Sequence, residues 1–522
     1  MKRFIFAIAI LPWLGYACNQ SYKNRTSEVA AEASMDQAAP QDLEKDFSRE
    51  GYAHITENSF ATALDQPLST FSVDVDKAAY SNVRRFLNSG QLPPAGAVRV
   101  EEMINYFDYD YQQPSGNDPF NVITEVAGCP WNEKHQLVHI ALKGKEIDQP
   151  EQPPSNLVFL IDVSGSMQDE DKLPLLKKSL LMLTESLRKD DNVSIVTYAG
   201  SAGLALPSTS GADRSDIEEA IDNLEAGGST AGGEGIQLAY KIARKHFKKN
   251  GNNRVIIATD GDFNVGLSSE DELVRLIEKE RESGVFLSVL GFGIGNYQDS
   301  NMQQLADKGN GNHYYIDGLQ EAKKVLVNEL SGTLFTIAKD VKIQVEFNPA
   351  KVQAYRLIGY ENRMLNKEDF NDDRKDAGEI GAGHTVTALY EVIPAGLKSD
   401  FVKTVDRLKY QKTGSVSGNN SEDLFTVKLR YKKPDEKESL KMTIAVPDND
   451  EDWKEASENF RLAAAVAEFG MMLRNSEYKS KSSYEQALSL AKGAKGADED
   501  GYRAELIELV KAAQQLDDRL AD

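Results

Sequence analysis

The sequence predicts a doubly wound α/β domain with a mostly parallel sheet, inserted in or flanked by an antiparallel β-sandwich and followed by a helical C-terminal part. Three patterns lead to this prediction. Apolar runs alternate with amphipathic helical segments in the middle of the chain, apolar and charged residues alternate after it, and a strongly apolar helical pattern appears near the end. The length of 522 residues exceeds one ordinary domain of roughly 150 residues.

The middle of the chain contains four continuous apolar runs, which are typical of buried parallel strands. These runs are residues 157–161, 193–196, 254–258 and 286–290. Amphipathic helical patterns occupy residues 173–187, 217–224, 235–247 and 270–282. In a doubly wound sheet, ligands bind beyond the carboxyl ends of the strands. The residues that follow each strand are therefore the candidates for a functional site.

Five oxygen-bearing side chains follow these strands or precede the third helical segment. They are Asp162, Ser164, Ser166, Thr230 and Asp260. Because the carboxyl ends of parallel strands lie at one edge of the sheet, these side chains are expected to converge. Oxygen ligands without nitrogen or sulfur suit Mg²⁺, or alternatively Mn²⁺ or Ca²⁺, and not zinc. Hydroxyls are neutral ligands, so the ion would keep Lewis acidity for a further oxygen donor, ideally a carboxylate from a partner.

Two other interpretations explain less of the pattern. A phosphate loop at residues 227–235 would need a following Gly-Lys-Ser/Thr, which is absent, and Glu234 would repel phosphate. Asp162 as a simple helix cap would explain neither Thr230 nor Asp260.

The order Asp162-x-Ser164-x-Ser166, then Thr230, then Asp260 resembles the metal-ion-dependent adhesion site of von Willebrand factor type A domains. The resemblance implies that the three hydroxyls ligate the ion directly. It also implies that the two carboxylates act mainly through bound waters, or directly as the site changes state.

The resemblance extends beyond this domain. Residues 71–76, 98–107 and 129–132 look like the N-terminal segment that accompanies a von Willebrand factor type A domain in a group of bacterial lipoproteins. In that group a C-terminal domain of unknown function follows. The resemblance covers most of residues 68–520.

The start of the chain predicts export and a lipid anchor. Lys2 and Arg3 precede an apolar stretch at residues 4–16, which is typical of a secretory signal peptide. Cys18 follows and resembles the lipidated cysteine of a bacterial lipoprotein. The predicted location is the bacterial cell envelope, with the protein attached to a membrane through this anchor. The alternative is a secreted or periplasmic soluble protein whose Cys18 is removed with the signal or pairs with Cys129.

These patterns divide the chain into six regions. They are a signal peptide (1–17), a lipid-anchored flexible tether (18–67), an N-terminal segment associated with the type A domain (68–152), the type A domain (153–338), a β-sandwich region (339–447) and a C-terminal helical region (448–522). Strands within residues 120–147 are too few to fold alone. We expect them to pair with strands of the later sandwich, and the apolar helix at residues 460–469 to cover an exposed face of it.

Three smaller patterns are interpreted as structural. Asp74 and Asp76 suit a strand end and a helix cap better than a metal site. His135 and His139 lie on one face of a strand without an acidic or cysteine partner to complete a zinc site. Residues 448, 450 and 452 begin like a calcium loop, but Trp453 stands where the turn glycine belongs.

The composition and motifs favour a binding module over an enzyme. A net charge of −22 argues against nucleic acid as a partner, because phosphate binding needs a basic face. The expected partner is a protein or glycan ligand with an acidic group. The alternatives are an envelope assembly scaffold with a structural metal site and a metal-dependent hydrolase. A hydrolase is disfavoured because the sequence has no Gly-x-Ser-x-Gly, no His-Glu-x-x-His and no histidine near the site segments.

Overall fold

The computed structural model describes residues 50–148, 152–228, 233–261, 270–329, 335–375, 377–402, 421–434, 436–449 and 451–521. The predicted signal peptide and Cys18 lie outside the described residues. The strands are β1 (Ala61–Thr62), β2 (Leu68–Ser72), β3 (Phe120–Cys129), β4 (Asn132–Gly144), β5 (Ser155–Asp162), β6 (Asn192–Tyr198), β7 (Ala202–Ser210), β8 (Asn252–Thr259), β9 (Phe286–Phe292), β10 (His313–Ile316), β11 (Thr336–Phe347), β12 (Val352–Ile358), β13 (Ile380–Gly381), β14 (Thr385–Pro394), β15 (Asp423–Lys432) and β16 (Ser439–Pro447). The helices are α1 (Ala78–Asn88), α2 (Val100–Asn105), α3 (Leu173–Ser186), α4 (Arg214–Asp222), α5 (Gly233–Lys245), α6 (Glu270–Glu282), α7 (Asp299–Lys308), α8 (Leu319–Ala322), α9 (Glu458–Leu473), α10 (Tyr484–Gly493) and α11 (Tyr502–Ala521).

The middle of the chain forms the predicted doubly wound α/β domain. Its sheet has the strand order β10-β9-β8-β5-β6-β7, and every pairing is parallel except that of β6 with β7. The apolar runs are buried on both faces, against Leu176 and Ile217 on one side and against Ile236 and Ile277 on the other. The antiparallel edge strand β7 was not predicted, since its polar and small residues do not form a continuous apolar run.

Two antiparallel sheets form the predicted sandwich, and both contain strands from before and after the α/β domain. One sheet has the order β1-β12-β14-β4-β3, and the other places β11 between β2 and β15. The predicted pairing across the α/β domain is confirmed, because β4 pairs with β14 with Ile140 opposite Ala388. The short strand β12 was not predicted. The α/β domain is therefore inserted, in sequence, between strands that form one antiparallel β-sandwich.

A helical layer covers the outer face of the first sheet. Along β4, Val138 and Ile140 point into the sandwich, whereas Leu137 and Ala141 point to α9 and its neighbours. The apolar α9 therefore covers this face, as predicted. It begins at Glu458 because the Ser457 Oγ accepts a hydrogen bond from the backbone N–H of Phe460 at 3.1 Å.

None of the helices that the structure describes combines the length and apolarity needed to cross a membrane.

The two histidines of β4 make contacts within the fold, and His135 has an acidic partner that was not predicted. His135 Nδ1 lies 2.5 Å from a carboxylate oxygen of Glu391, and His139 Nε2 lies 2.9 Å from the hydroxyl of Tyr111. Burial lowers the pKa of His139 to about 4, so this ring is neutral at physiological pH. Cys129 at the end of β3 is buried and forms no disulfide with any described residue.

Asp76 differs from its predicted role as a helix cap. Helix α1 begins after Lys77, and the Asp76 carboxylate instead accepts a hydrogen bond from the backbone N–H of His313 at 2.7 Å and pairs with Arg363 at 3.0 Å. Arg363 also lies 3.6 Å from Asp74. Both carboxylates therefore form ion pairs where the α/β domain meets the sandwich. A buried charge there needs a partner of opposite sign.

Asp448 and Asp452, which resemble the start of a calcium loop, lie in the exposed connection between β16 and α9. Asp448 accepts a hydrogen bond from Gln136 at 3.1 Å and lies 3.8 Å from Lys351, and Asp452 accepts one from the backbone N–H of Lys454. Residue 450 lies outside the described residues.

A buried carboxyl group in α9 predicts a pH-dependent stability. Burial raises the pKa of Glu468 to about 8. One oxygen accepts a hydrogen bond from the backbone N–H of Ser483, and the other has no hydrogen-bond partner in the described part of the chain. Because the folded pKa exceeds the unfolded value, the folded state binds more protons. The free energy of unfolding should therefore fall by about 1.4 kcal/mol per pH unit between roughly pH 5 and pH 8 from this group. Glu468→Gln should remove that slope in urea denaturation series. An unchanged slope would show that Glu468 is ionised when buried.

Candidate metal site

Two neighbouring strands bring the carboxylates of the site together. Strand β5 ends at Asp162, and β8 is its parallel neighbour with Ile161 opposite Ala258, so Asp260 follows at the same edge. Asp162 is fully buried and Asp260 is 2% exposed. Parallel pairing of two buried apolar runs thus places both acids at one point, as the sequence predicted.

The Asp162 carboxylate is held by three donors. Its Oδ1 accepts a hydrogen bond from the backbone N–H of Ser164 at 2.9 Å. Its Oδ2 accepts from the hydroxyls of Tyr198 at 3.1 Å and Thr259 at 3.2 Å. Burial raises the pKa of Asp162, the hydrogen bonds from Ser164 lower it, and the charge of Asp260 raises it again. The carboxylate is therefore oriented firmly, and no described lysine or arginine forms an ion pair with it.

The two predicted serine hydroxyls lie side by side. Ser164 Oγ and Ser166 Oγ are 2.9 Å apart, with Gly165 beginning a short 3-10 turn between them. Ser164 is 2% exposed and thus faces inward. This turn aims both oxygens to the same side as the Asp162 carboxylate.

The glycine-rich stretch docks on the same loop. The Gly227 N–H donates to the carbonyl of Val163 at 2.7 Å, and the Gly165 N–H donates to the carbonyl of Gly228 at 3.2 Å. Thr230 lies outside the described residues. The backbone carbonyl of Gly228, two residues before Thr230, nevertheless accepts a hydrogen bond from the loop that carries the serines.

A lysine that the sequence analysis did not single out pairs with the second carboxylate. Lys172 Nζ donates to Asp260 Oδ2 at 3.0 Å and to the carbonyl of Ser166 at 2.9 Å. Its stem passes Gly293, which has a φ of +70°, and a Cβ there would lie 2.6 Å from Cγ of Lys172. The absence of a side chain at Gly293 therefore gives the lysine its path to the site.

The second carboxylate keeps one oxygen without a partner. Asp260 Oδ1 is buried and makes no hydrogen bond to any described residue. Gly261 follows with a φ of +113°, and a Cβ there would lie 2.7 Å from the Cα of Tyr297. The close approach of that loop excludes any larger residue and fixes the direction of the Asp260 backbone.

The donor set suits a hard divalent cation. The site offers two carboxylates and two serine hydroxyls, and a buried oxygen without a partner is costly unless an ion or water satisfies it. Among the described residues, no three histidine, cysteine, aspartate or glutamate side chains converge to hold a metal, and this site itself brings together only two carboxylates. Four of the five predicted residues lie together in the structure, and the fifth, Thr230, lies outside the described part.

Three contributing residues were missed by the sequence analysis. Tyr198 and Thr259 end the strands on either side of β5, so the same rule that selected Asp162 would have found them. Lys172 carries no comparable signal, because its pairing depends on the path of the loop before α3.

Comparisons with known proteins match three segments of the chain. Family models match at residues 46–139 ("von Willebrand factor"), 156–328 ("von Willebrand factor type A domain") and 332–516 ("Uncharacterized protein YfbK, C-terminal"). The uncharacterized protein YfbK of Escherichia coli K12 is 46% identical over 481 residues, which are 90% of this chain and 81% of that protein. The inter-alpha-trypsin inhibitor heavy chain H3 of Pongo abelii is 28% identical over 259 residues, which are 46% of this chain and 29% of that protein.

Solved structures match this chain at lower sequence identity. A von Willebrand factor type A protein from Catenulispora acidiphila has a TM-score of 0.38 and 14% identity, covering 86% of this chain and 90% of that one. The ArnB paralog VWA2 from Sulfolobus acidocaldarius has a TM-score of 0.35 and 15% identity, covering 76% and 98% respectively.

Proposed function

Because this chain belongs to the family of the Escherichia coli protein YfbK and contains a von Willebrand factor type A domain, we propose that it is a binding module of the bacterial cell envelope. Its site would use a Mg²⁺-type ion to capture an acidic group of a protein or glycan partner. The buried Asp260 oxygen that has no hydrogen-bond partner among the described residues carries this proposal, since Asp260 lies at the same sheet edge as Asp162 and the two serine hydroxyls.

The residues have distinct roles in this proposal. The hydroxyls of Ser164, Ser166 and Thr230 would hold the ion, with Mn²⁺ or Ca²⁺ as alternatives, and Asp162 and Asp260 would supply the negative charge. The bound ion supplies Lewis acidity for one further oxygen ligand. Tyr198 and Thr259 orient Asp162 through hydrogen bonds to its Oδ2.

The charges at the site favour an acidic partner. Lys172 neutralises one of the two carboxylates, so the described site has a net charge of −1. A divalent ion would change this to +1 in a largely buried place, where charge is costly. A carboxylate from the partner would restore neutrality. This charge balance is the physical reason to propose acidic over neutral ligands.

A capture experiment tests the proposal. The immobilised protein should retain envelope proteins or glycans in Mg²⁺ and release them in EDTA. A glutamate-rich peptide should compete, whereas a matched glutamine-rich peptide should not. Capture of the same partner in EDTA would instead support the scaffold with a structural metal, and the absence of any Mg²⁺ effect would contradict the proposal.

Binding is proposed here over catalysis. Among the described residues, the side chains bonded to Asp162 and Asp260 are hydroxyls and a lysine, and no histidine that could act as a general base is among them. His313 is bonded to Tyr297 at 2.8 Å, and burial lowers its pKa to about 4.

We also propose that Cys18 is lipidated and anchors the protein in the envelope. Cys18→Ser should move the protein from the membrane fraction to the soluble fraction, because a long acyl chain supplies the membrane affinity. Immunoblotting of fractions washed with high salt measures this change. Membrane association that persists in the variant and resists salt would contradict the anchor, and a secreted or periplasmic soluble protein would then be the alternative.

A further inference from the structure

A buried arginine that forms no ion pair with any described residue lies where the α/β domain meets the sandwich. Arg254, at the start of β8, is 5% exposed. Its Nη1 donates to Ser288 Oγ at 2.6 Å, and its buried Nε has no hydrogen-bond partner among the described residues. The guanidinium carbon lies 5.8 Å from the centre of the Phe286 ring. No aspartate or glutamate in the described ranges forms an ion pair with it.

This arrangement sets Arg254 apart from the other buried arginines. Each of those pairs with at least one carboxylate; they are Arg84, Arg85, Arg99, Arg356 and Arg474. Burial lowers the pKa of Arg254, and the neighbouring side chains of Tyr314 and Glu379 offset this effect only in part. A buried charge that is only partly compensated is costly, so its presence calls for a further compensating group.

Arg254 lines a cavity of about 280 Å³ that can hold such a group. The α/β domain contributes Arg254 and Asn312 to the lining, and the sandwich side contributes Thr336 and His384. A small molecule in this cavity would therefore touch both parts of the protein.

The acidic residues of the cavity already have their own partners. Asp74 and Asp307 pair with Arg363. Glu379 accepts hydrogen bonds from Asn310 at 3.2 Å and from Thr336 at 2.8 Å. Arg254 forms an ion pair with none of these three acids, and Glu379 acts on it only at a distance.

We propose that this cavity binds a small anion with a phosphate or carboxylate head group, which compensates the charge of Arg254. Guanidinium groups suit these oxyanions because they donate charge-assisted hydrogen bonds in a fixed plane. The bound anion links the α/β domain to the sandwich at the sheet edge opposite the candidate metal site. This inference is independent of the proposed metal-dependent function.

Thermal unfolding of the full chain in EDTA tests the proposal, with inorganic phosphate and succinate as probes at constant ionic strength. Tm should rise with at least one probe and saturate. At a probe concentration of about 100 times Kd, the folding equilibrium should shift by about 100-fold. The probe that acts identifies the head group.

Arg254→Met should abolish this rise and should unfold at no lower temperature than the wild type in buffer that contains neither probe, because it removes a buried charge that has no ion-pair partner. Lys178→Met, which removes an exposed lysine of α3, is the matched control and should keep the rise. If Arg254→Met does not fold, Arg254→Gln removes the charge and keeps a hydrogen-bond donor. The proposal is overturned if neither probe stabilises the wild type saturably, or if the rise persists in the Arg254 variant.

Discussion

Asp260→Ala should abolish Mg²⁺ binding and destabilise the protein by about 3–5 kcal/mol. The loss of binding follows because Asp260 supplies one of the two carboxylates of the site. The loss of stability follows because Lys172 would remain buried with only the exposed Asp169, 3.7 Å away, as a counter-charge, and breaking a buried ion pair from one side has about that cost. Isothermal calorimetry measures the affinity for Mg²⁺, and urea denaturation in EDTA measures the free energy of unfolding.

The double variant Asp260→Ala with Lys172→Met is the control that separates the two effects. It should recover most of the lost stability and still fail to bind Mg²⁺, because the charges are removed together. An Asp260→Ala protein with wild-type affinity for Mg²⁺ would remove Asp260 from the site. Unchanged stability would show that the contact with Lys172 is not a strong ion pair.

Lys172→Met should raise the affinity for Mg²⁺ by at least about 10-fold and weaken the capture of acidic ligands. Two unit charges 4 Å apart interact by about 4 kcal/mol at an effective dielectric constant of 20, so removing one positive neighbour strongly favours a divalent cation. The same substitution leaves a metal-loaded site without its excess positive charge, which reduces attraction to a carboxylate. The two affinities should therefore change in opposite directions.

Two further variants test whether Lys172 acts through its charge. Lys178→Met, on the exposed side of α3, should change neither affinity. Lys172→Arg keeps the charge and should keep the metal affinity closer to that of the wild type. If both affinities fall together in Lys172→Met, the lysine has a structural role and does not set the charge of the site.

Much of the site was predictable because two local rules act together. Continuous apolar runs indicated parallel strands, and the carboxyl ends of such strands share an edge, which places Asp162 near Asp260 although nearly one hundred residues separate them. The pairing of β4 with β14 was predictable for a similar reason. Two strands alone leave backbone N–H and C=O groups unpaired along their edges, so the strands that follow the α/β domain are the expected partners.

The ion pairs that join the regions were not predictable in this way. Arg363 and Asp76 are 287 residues apart, and nothing in either local pattern selects the other as a partner. Arg84 of α1 pairs with Asp317 and Glu321 of the α/β domain and with Glu505 of α11. Each of these charges is compatible with an exposed position until the fold buries it.

The sequence by itself determined the parallel strands and main helices of the α/β domain, the sheet edge that carries the site and the oxygen chemistry of its donors. It did so because apolar periodicity and the side chains that follow each strand are local properties of the chain. Only the tertiary structure decided which charges are compensated. Lys172 reaches Asp260 because Gly293, on another strand connection, leaves room for its stem. Arg254 is left without a carboxylate because the neighbouring acids are used by other donors. Burial makes these pairings energetically important, and burial is a property of the assembled fold.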